Sequence, residues 1–139
     1  MTTQNLSKGA FILKKNIEAD QPYHFVLIGP NKKTLLLSEN YVNSYGARNG
    51  IDSVRINGTE EKNYDLKIAK DGRFYFDLKA KNHEIIGRGM FHDTKEQRDK
   101  DIRDIMKYCE DAPLIDETSG NKDGVITSEP KRNGSNRYA

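Results

Sequence analysis

The chain has 139 residues, 35% of them hydrophobic and 32% charged, with a formal net charge of +2 and a pI near 8.6. That length fits one domain or two small repeats on a shared core, and the charge is too weak to argue for nucleic acid by itself, because a nucleic-acid footprint is a clustered basic patch. The single cysteine, Cys109, excludes an intramolecular disulfide, Met1 to Lys8 has no signal-peptide pattern, and no run is long enough to span a membrane, so the expected location is the cytoplasm.

After a polar lead at residues 1–9, Phe11 to Ile17 reads as a strand with Phe11 and Leu13 on one face and Ile12 and Lys14 on the other. Asp20-Gln21-Pro22 turns the chain into a second strand, Tyr23 to Ile28, whose inward set is Tyr23, Phe25 and Leu27 and whose outward set is His24, Val26 and Ile28. Gly29-Pro30-Asn31-Lys32 breaks this strand, and Thr34 to Leu37 forms a short third one. Asn43-Ser44 offers a helix cap ahead of an apolar stripe, Ala47, Ile51 and Val54. Gly46 and Gly50 weaken that helix but allow close packing on the sheet, and Asn57-Gly58 ends it.

The second half repeats the plan. Tyr64, Leu66 and Ile68 alternate as a strand, Lys70-Asp71-Gly72 is a turn, and Phe74, Phe76 and Leu78 alternate with Tyr75, Asp77 and Lys79 in the next strand. Gly87-Arg88-Gly89 predicts a short, twisted or bulged third strand. Thr94-Lys95-Glu96-Gln97 has the form of a capping box, and the helix behind it carries Ile102, Ile105, Met106 and Cys109 on one face, with Glu96/Lys100, Asp99/Arg103 and Lys107/Asp111 spaced for i,i+4 pairing. Ala112-Pro113 stops the helix, and Leu114-Ile115 suits a brief last strand. Residues 117–139 are rich in Ser, Asn, Gly and Lys, and are expected to be a disordered tail, since burial cannot offset their ordering entropy.

Phe25 and Phe76, Leu27 and Leu78, Asn31 and Asn82, Ile51 and Ile102, and Val54 and Ile105 are each 51 positions apart, so one core plan is used twice. The run Lys70 to Ala80, together with Ser38-Glu39-Asn40-Tyr41 and Arg48-Asn49-Gly50-Ile51-Asp52-Ser53-Val54, resembles the YegP-like repeat, a small bacterial and archaeal domain of unknown function. The resemblance covers roughly residues 10–116 and implies an α+β fold. Two tandem β-β-β-α-β repeats, 10–61 and 62–116, would share one antiparallel sheet with two helices on one face, and Leu114-Ile115 would cross to the partner repeat. It supplies no catalytic residues. The chain departs from the pattern where Asn31-Lys32 and Asn82-His83 lack a Gly after Asn, where Asp99-Lys100-Asp101 replaces Asn49-Gly50, and where Arg88-Gly89-Met90-Phe91 replaces the Ser-Glu-x-Tyr run.

Local motifs for chemistry are sparse. Ser119 to Ile126 looks like the middle of a calcium loop, but it lacks the first carboxylate and Glu129 falls one residue early, so no metal site is assigned. His24, His83 and His92 stand alone, although His92 and Asp93 are adjacent, and Cys109 reads as a packing residue. No catalytic residue and no cofactor is assigned, and the chain is expected not to be an enzyme. The uncovered sheet face remains. Lys67, Arg73, Tyr75 and Lys79 would lie there in the second unit, and His24, Val26 and Ile28 in the first, with Ile12 adding to an apolar outer patch. The expected function is a small binding or protein-interaction module with an unidentified protein partner and no membrane association. The alternative is single-stranded nucleic-acid binding through that open face, where bases stack on Tyr and phosphates pair with Lys and Arg.

Overall fold

The computed structural model describes residues 7–118 and the backbone of 125–128. Its strands are β1 (Ala10–Lys15), β2 (Tyr23–Ile28), β3 (Thr34–Ser38), β4 (Tyr64–Ile68), β5 (Phe74–Lys79), β6 (Ile85–Arg88), β7 (Leu114–Asp116) and β8 (Val125–Ser128), with helices α1 (Ser44–Asn57) and α2 (Lys95–Tyr108). They form one sheet in the order β4-β5-β6-β3-β2-β1-β7-β8, and α1 and α2 pack on one side of it. The two-repeat α+β plan is present. Each repeat begins with an antiparallel meander, β1-β2-β3 or β4-β5-β6, and continues into its helix.

The repeats meet at β3 and β6, which run antiparallel with Leu37 opposite Arg88. These two residues are 51 positions apart, so each is the other's counterpart and an internal pseudo-twofold passes through the pair. The crossing strand β7 leaves α2 and pairs with β1 of the first repeat, as the resemblance implied. That pairing is parallel, which makes the sheet mixed where an antiparallel one was expected. The reason is topological: β1 already occupies the antiparallel place beside β2, so a strand arriving in the same direction as β1 has only the outer side left. Within the segment expected to be a tail, Val125–Ser128 adds an antiparallel strand to β7. The calcium-loop reading falls largely outside the described residues.

Alternation builds the core as the sequence suggests. Phe11, Leu13, Phe25, Leu27, Phe76 and Leu78 are fully buried beneath Ala47, Ile51, Val54, Ile102 and Ile105. Asn43 caps α1 by accepting from the Gly46 amide at 2.8 Å, and Thr94 caps α2 by accepting from the Gln97 amide at 3.1 Å. A Cβ on Gly50 would collide with the Tyr41 hydroxyl, so the close approach foreseen for this helix is real. On α2 the i,i+4 ion pair found among the described residues is Lys100–Asp104 rather than any of the three expected.

Candidate interaction surface

The face opposite the helices divides into two halves of different chemistry. In the second repeat, alternation sends Asp65, Lys67, Tyr75, Asp77, Lys79 and Arg88 outward, and the register sets Lys67 against Tyr75 and Asp77 against Arg88. Arg88 Nε donates to Asp77 Oδ1 at 2.7 Å, Lys67 lies 3.9 Å from Asp77, and Lys79 reaches Asp65 at 3.1 Å. The Lys79 hydrogen bond holds the Asp65 carboxyl below its ordinary value, and the Asp77 hydrogen bond raises Arg88. Arg73 Nε donates to Asp71 at 2.9 Å, a turn-local pair. Four cations therefore face three carboxylates, and none of the four is uncommitted.

Aromatic rings interleave with two of these cations. The Arg73 guanidinium lies 4.4 Å from the centre of the Phe91 ring, Phe91 meets Tyr75 edge-on at 5.0 Å, and Arg88 lies 5.6 Å from the Tyr75 ring. The result is a ladder, Arg73–Phe91–Tyr75–Arg88, in which Phe91 is 45% exposed. Sequence reasoning placed Arg73 and Tyr75 here but missed Phe91 and Arg88. The available signal was the 51-residue spacing: Val26 and Leu37 face each other across β2 and β3, and both become charged together as Asp77 and Arg88.

The first-repeat half is apolar but offers less surface than expected. Val26 and Ile28 are buried, in a cluster with Ala10, Ile115 and the partly buried Ile12. The arrival of β7 explains part of this, because it brings Ile115 opposite Ile12 and widens the apolar strip. His24 stands opposite Lys14, and its pKa is lowered, first by burial and then by that lysine. The residues proposed for one continuous face thus lie on one side of the sheet, but only the exposed Arg73 and the half-buried Lys67, Tyr75 and Lys79 form a connected group.

A model of a domain of unknown function, DUF1508, matches the chain twice, at residues 19–65 and 69–116. The chain belongs to the DUF1508 family. It is 41% identical over 97 residues to the UPF0339 protein YegP of Escherichia coli K12, covering 70% of this chain and 86% of that protein. The solution structure of yegP from E. coli superposes with a TM-score of 0.74 at 37% identity, covering 81% of this chain and 96% of that one. The solution structure of UPF0339 protein SO3888 from Shewanella oneidensis gives 0.74 at 35% identity, covering 82% and 95%. The YegP-like resemblance read from the sequence is therefore correct, and the family carries no assigned activity.

In this DUF1508 chain the histidine with a carboxylate partner is His92, and the partner is not the adjacent Asp93. His92 Nε2 lies 2.7 Å from Oδ2 of Asp101, whose other oxygen accepts from Lys33 Nζ at 2.8 Å. Asp101 is fully buried. Counting back 51 residues, His92 and Asp101 replace Tyr41 and Gly50, the ring and the glycine it covers, so the polar cluster occupies a place filled by packing in the other repeat. Cys109 is also buried, its thiol pushed up to about 12 chiefly by burial, which suits the packing role expected of it. Among the described residues no group of three metal-ligating side chains gathers, and no helix is long and apolar enough to cross a membrane.

Proposed function

We propose that this chain is a non-enzymatic, cytoplasmic protein-interaction module, and that its binding surface is the outer face of the second repeat. The observation that carries the reading is the ladder Arg73–Phe91–Tyr75–Arg88, exposed at all its members but the half-buried Tyr75. Arg, Tyr and Phe are enriched in protein interfaces, and here Tyr75 is placed by strand register, Arg88 by the cross-strand carboxylate of Asp77, and Arg73 by its turn-local pair with Asp71. With four cations against three carboxylates, the fitting partner is a protein surface with an apolar centre and a weakly acidic rim. The charge balance speaks against the nucleic-acid alternative: Lys67, Lys79, Arg73 and Arg88 would each have to leave a carboxylate before meeting a phosphate. The titratable cluster His92–Asp101–Lys33 supports a non-catalytic reading, because both oxygens of the buried Asp101 are already committed.

Phe91→Ala and Tyr75→Ala test the reading better than any change at Val26, which is buried. Each should abolish retention of a specific bound protein without lowering thermal stability by more than a few degrees. Salt-sensitive binding of short single-stranded oligonucleotides that is lost on Lys79→Glu, with no protein captured, would replace this reading by the nucleic-acid one.

A further inference from the structure

At one end of the sheet, β4 has no neighbour on its outer side among the described residues. The ladder parity shows which backbone groups it presents. Ala69 N–H donates to the Arg73 carbonyl, and Phe74 exchanges both of its bonds with His92 on the far side of β5. Asp65 and Lys67 therefore bond inward to β5, while the amides and carbonyls of Leu66 and Ile68 and the carbonyl of Tyr64 point away from the sheet. The Tyr64 amide is already used, donating to the Glu61 carbonyl. Sheet edges are ordinarily blunted by short length, charged side chains, proline, bulges or cover, and β4 has five residues with Asp65 and Lys67 on its outer face. β4 has no bulge and no proline, and it exposes Leu66 and Ile68 at 55% and 64%.

The edge opens onto a groove on the helix side. It has a volume of about 490 Å³, an apolar floor of Tyr64, Leu66, Ile102 and Met106, and a rim carrying Asp99 and Arg103. The strand Tyr64-Asp65-Leu66-Lys67-Ile68 is self-complementary when laid antiparallel on itself about Leu66. Leu66 would then exchange hydrogen bonds with Leu66 of the partner subunit, and the Ile68 amide would donate to the Tyr64 carbonyl of the partner subunit. Asp65 would face Lys67 of the partner subunit on the outer side. On the helix side the partner subunit's Ile68 would enter the groove beside Tyr64.

We propose that β4 is a homodimerisation edge on which a second copy of this chain adds its own β4 antiparallel, centred on Leu66, to make one continuous sheet. The twofold stands perpendicular to that sheet, so both Arg73–Phe91–Tyr75–Arg88 ladders fall on the same face of the dimer. The contact is small, a five-residue strand with its flanking groove, so the dimer exchanges with monomer and depends on concentration.

The test is a concentration series of the full chain by sedimentation equilibrium, with amide hydrogen exchange at Leu66 and Ile68. The mass should rise toward about twice the 15.9 kDa of one chain, with protection at those two amides rising alongside. Leu66→Pro removes the central donor while leaving the β4–β5 ladder intact, and should weaken dimerisation more than about tenfold. Ile68→Lys, a change at an exposed side chain, should do the same if the proline variant fails to fold. A chain that stays monomeric up to its solubility limit overturns the proposal, as does a dimer indifferent to both variants. Protection at Leu66 and Ile68 that appears only on adding an extended foreign peptide would also overturn it, and would assign the edge to a different strand.

Discussion

Lys32 and His83 adopt φ of 68° and 72°, the left-handed region that a side chain enters only at a cost. Both sit at the fourth position of a five-residue turn that occurs three times among the described residues. In each, the first residue donates to the fifth, the fourth donates back to the first, and an Asn or Asp side chain at the third accepts from the fifth. The third copy, Ala69 to Arg73, has Gly72 at the strained place with φ of 90° and open space around it. Glycine at this position removes a penalty of about 1–2 kcal/mol and adds back part of it as backbone entropy. His83→Gly and Lys32→Gly should therefore each stabilise the fold by about 0.5–1 kcal/mol, raising Tm by roughly 2–4 °C in calorimetry. Gly72→Ala should shift it downward by a similar amount. The sequence already marked these two turns as lacking glycine, and the dihedral angles show what that lack costs.

Between elements, Arg55 does work that no motif announced. It is buried at the end of α1, its guanidinium 4.8 Å from the Phe11 ring, and Nη1 donates to the carbonyls of Glu110 at 3.1 Å and Ala112 at 2.7 Å. It thus ties the end of α1 to the turn that follows α2. Its counterpart in the other repeat is Met106, so the clamp exists once. Arg55→Met fills the volume but leaves those carbonyls unsatisfied, and should cost about 2–4 kcal/mol in denaturant unfolding, with Arg55→Lys recovering part of it. The crossing strand β7 is tied down nearby. Arg48 on α1 meets Asp116 at 2.6 Å, and Asp116 also accepts from the Thr118 hydroxyl and amide. Burial pushes the Asp116 pKa up, but these bonds outweigh it, so the folded value lies below the ordinary 3.8. Its contribution to stability is complete above that value and is lost as pH falls through the lower folded one. Acid unfolding of Asp116→Asn should accordingly show a shallower pH dependence below about pH 4 than the parent chain.

Across the molecule, what the sequence revealed was whatever repeats locally. Alternation located the strands and their inward faces, caps and turns located their ends, and the 51-residue spacing exposed the two-repeat plan. What it hid depends on which strands become neighbours. The parallel β1–β7 pairing, the burial of Val26 and Ile28, and the pairing of every cation on the second-repeat face follow from a register that one chain's pattern does not state. The same holds for His92, whose partner Asp101 lies nine residues away on α2 rather than beside it. Superposing the repeats supplies the missing information, and it can be tested by transplanting one solution into the other. Asp101→Gly alone leaves His92 and Lys33 without their shared acceptor and weakens the helix. His92→Tyr alone forces a ring toward Asp101, where the first repeat has only Gly50 to make room for Tyr41. The double variant restores the ring-on-glycine packing seen there, and Lys33, whose side chain is 42% exposed, can turn to solvent. Its destabilisation should fall short of the sum of the single changes by about 1–2 kcal/mol in chemical denaturation. Strict additivity would mean that the two repeats share a backbone plan but not interchangeable interiors.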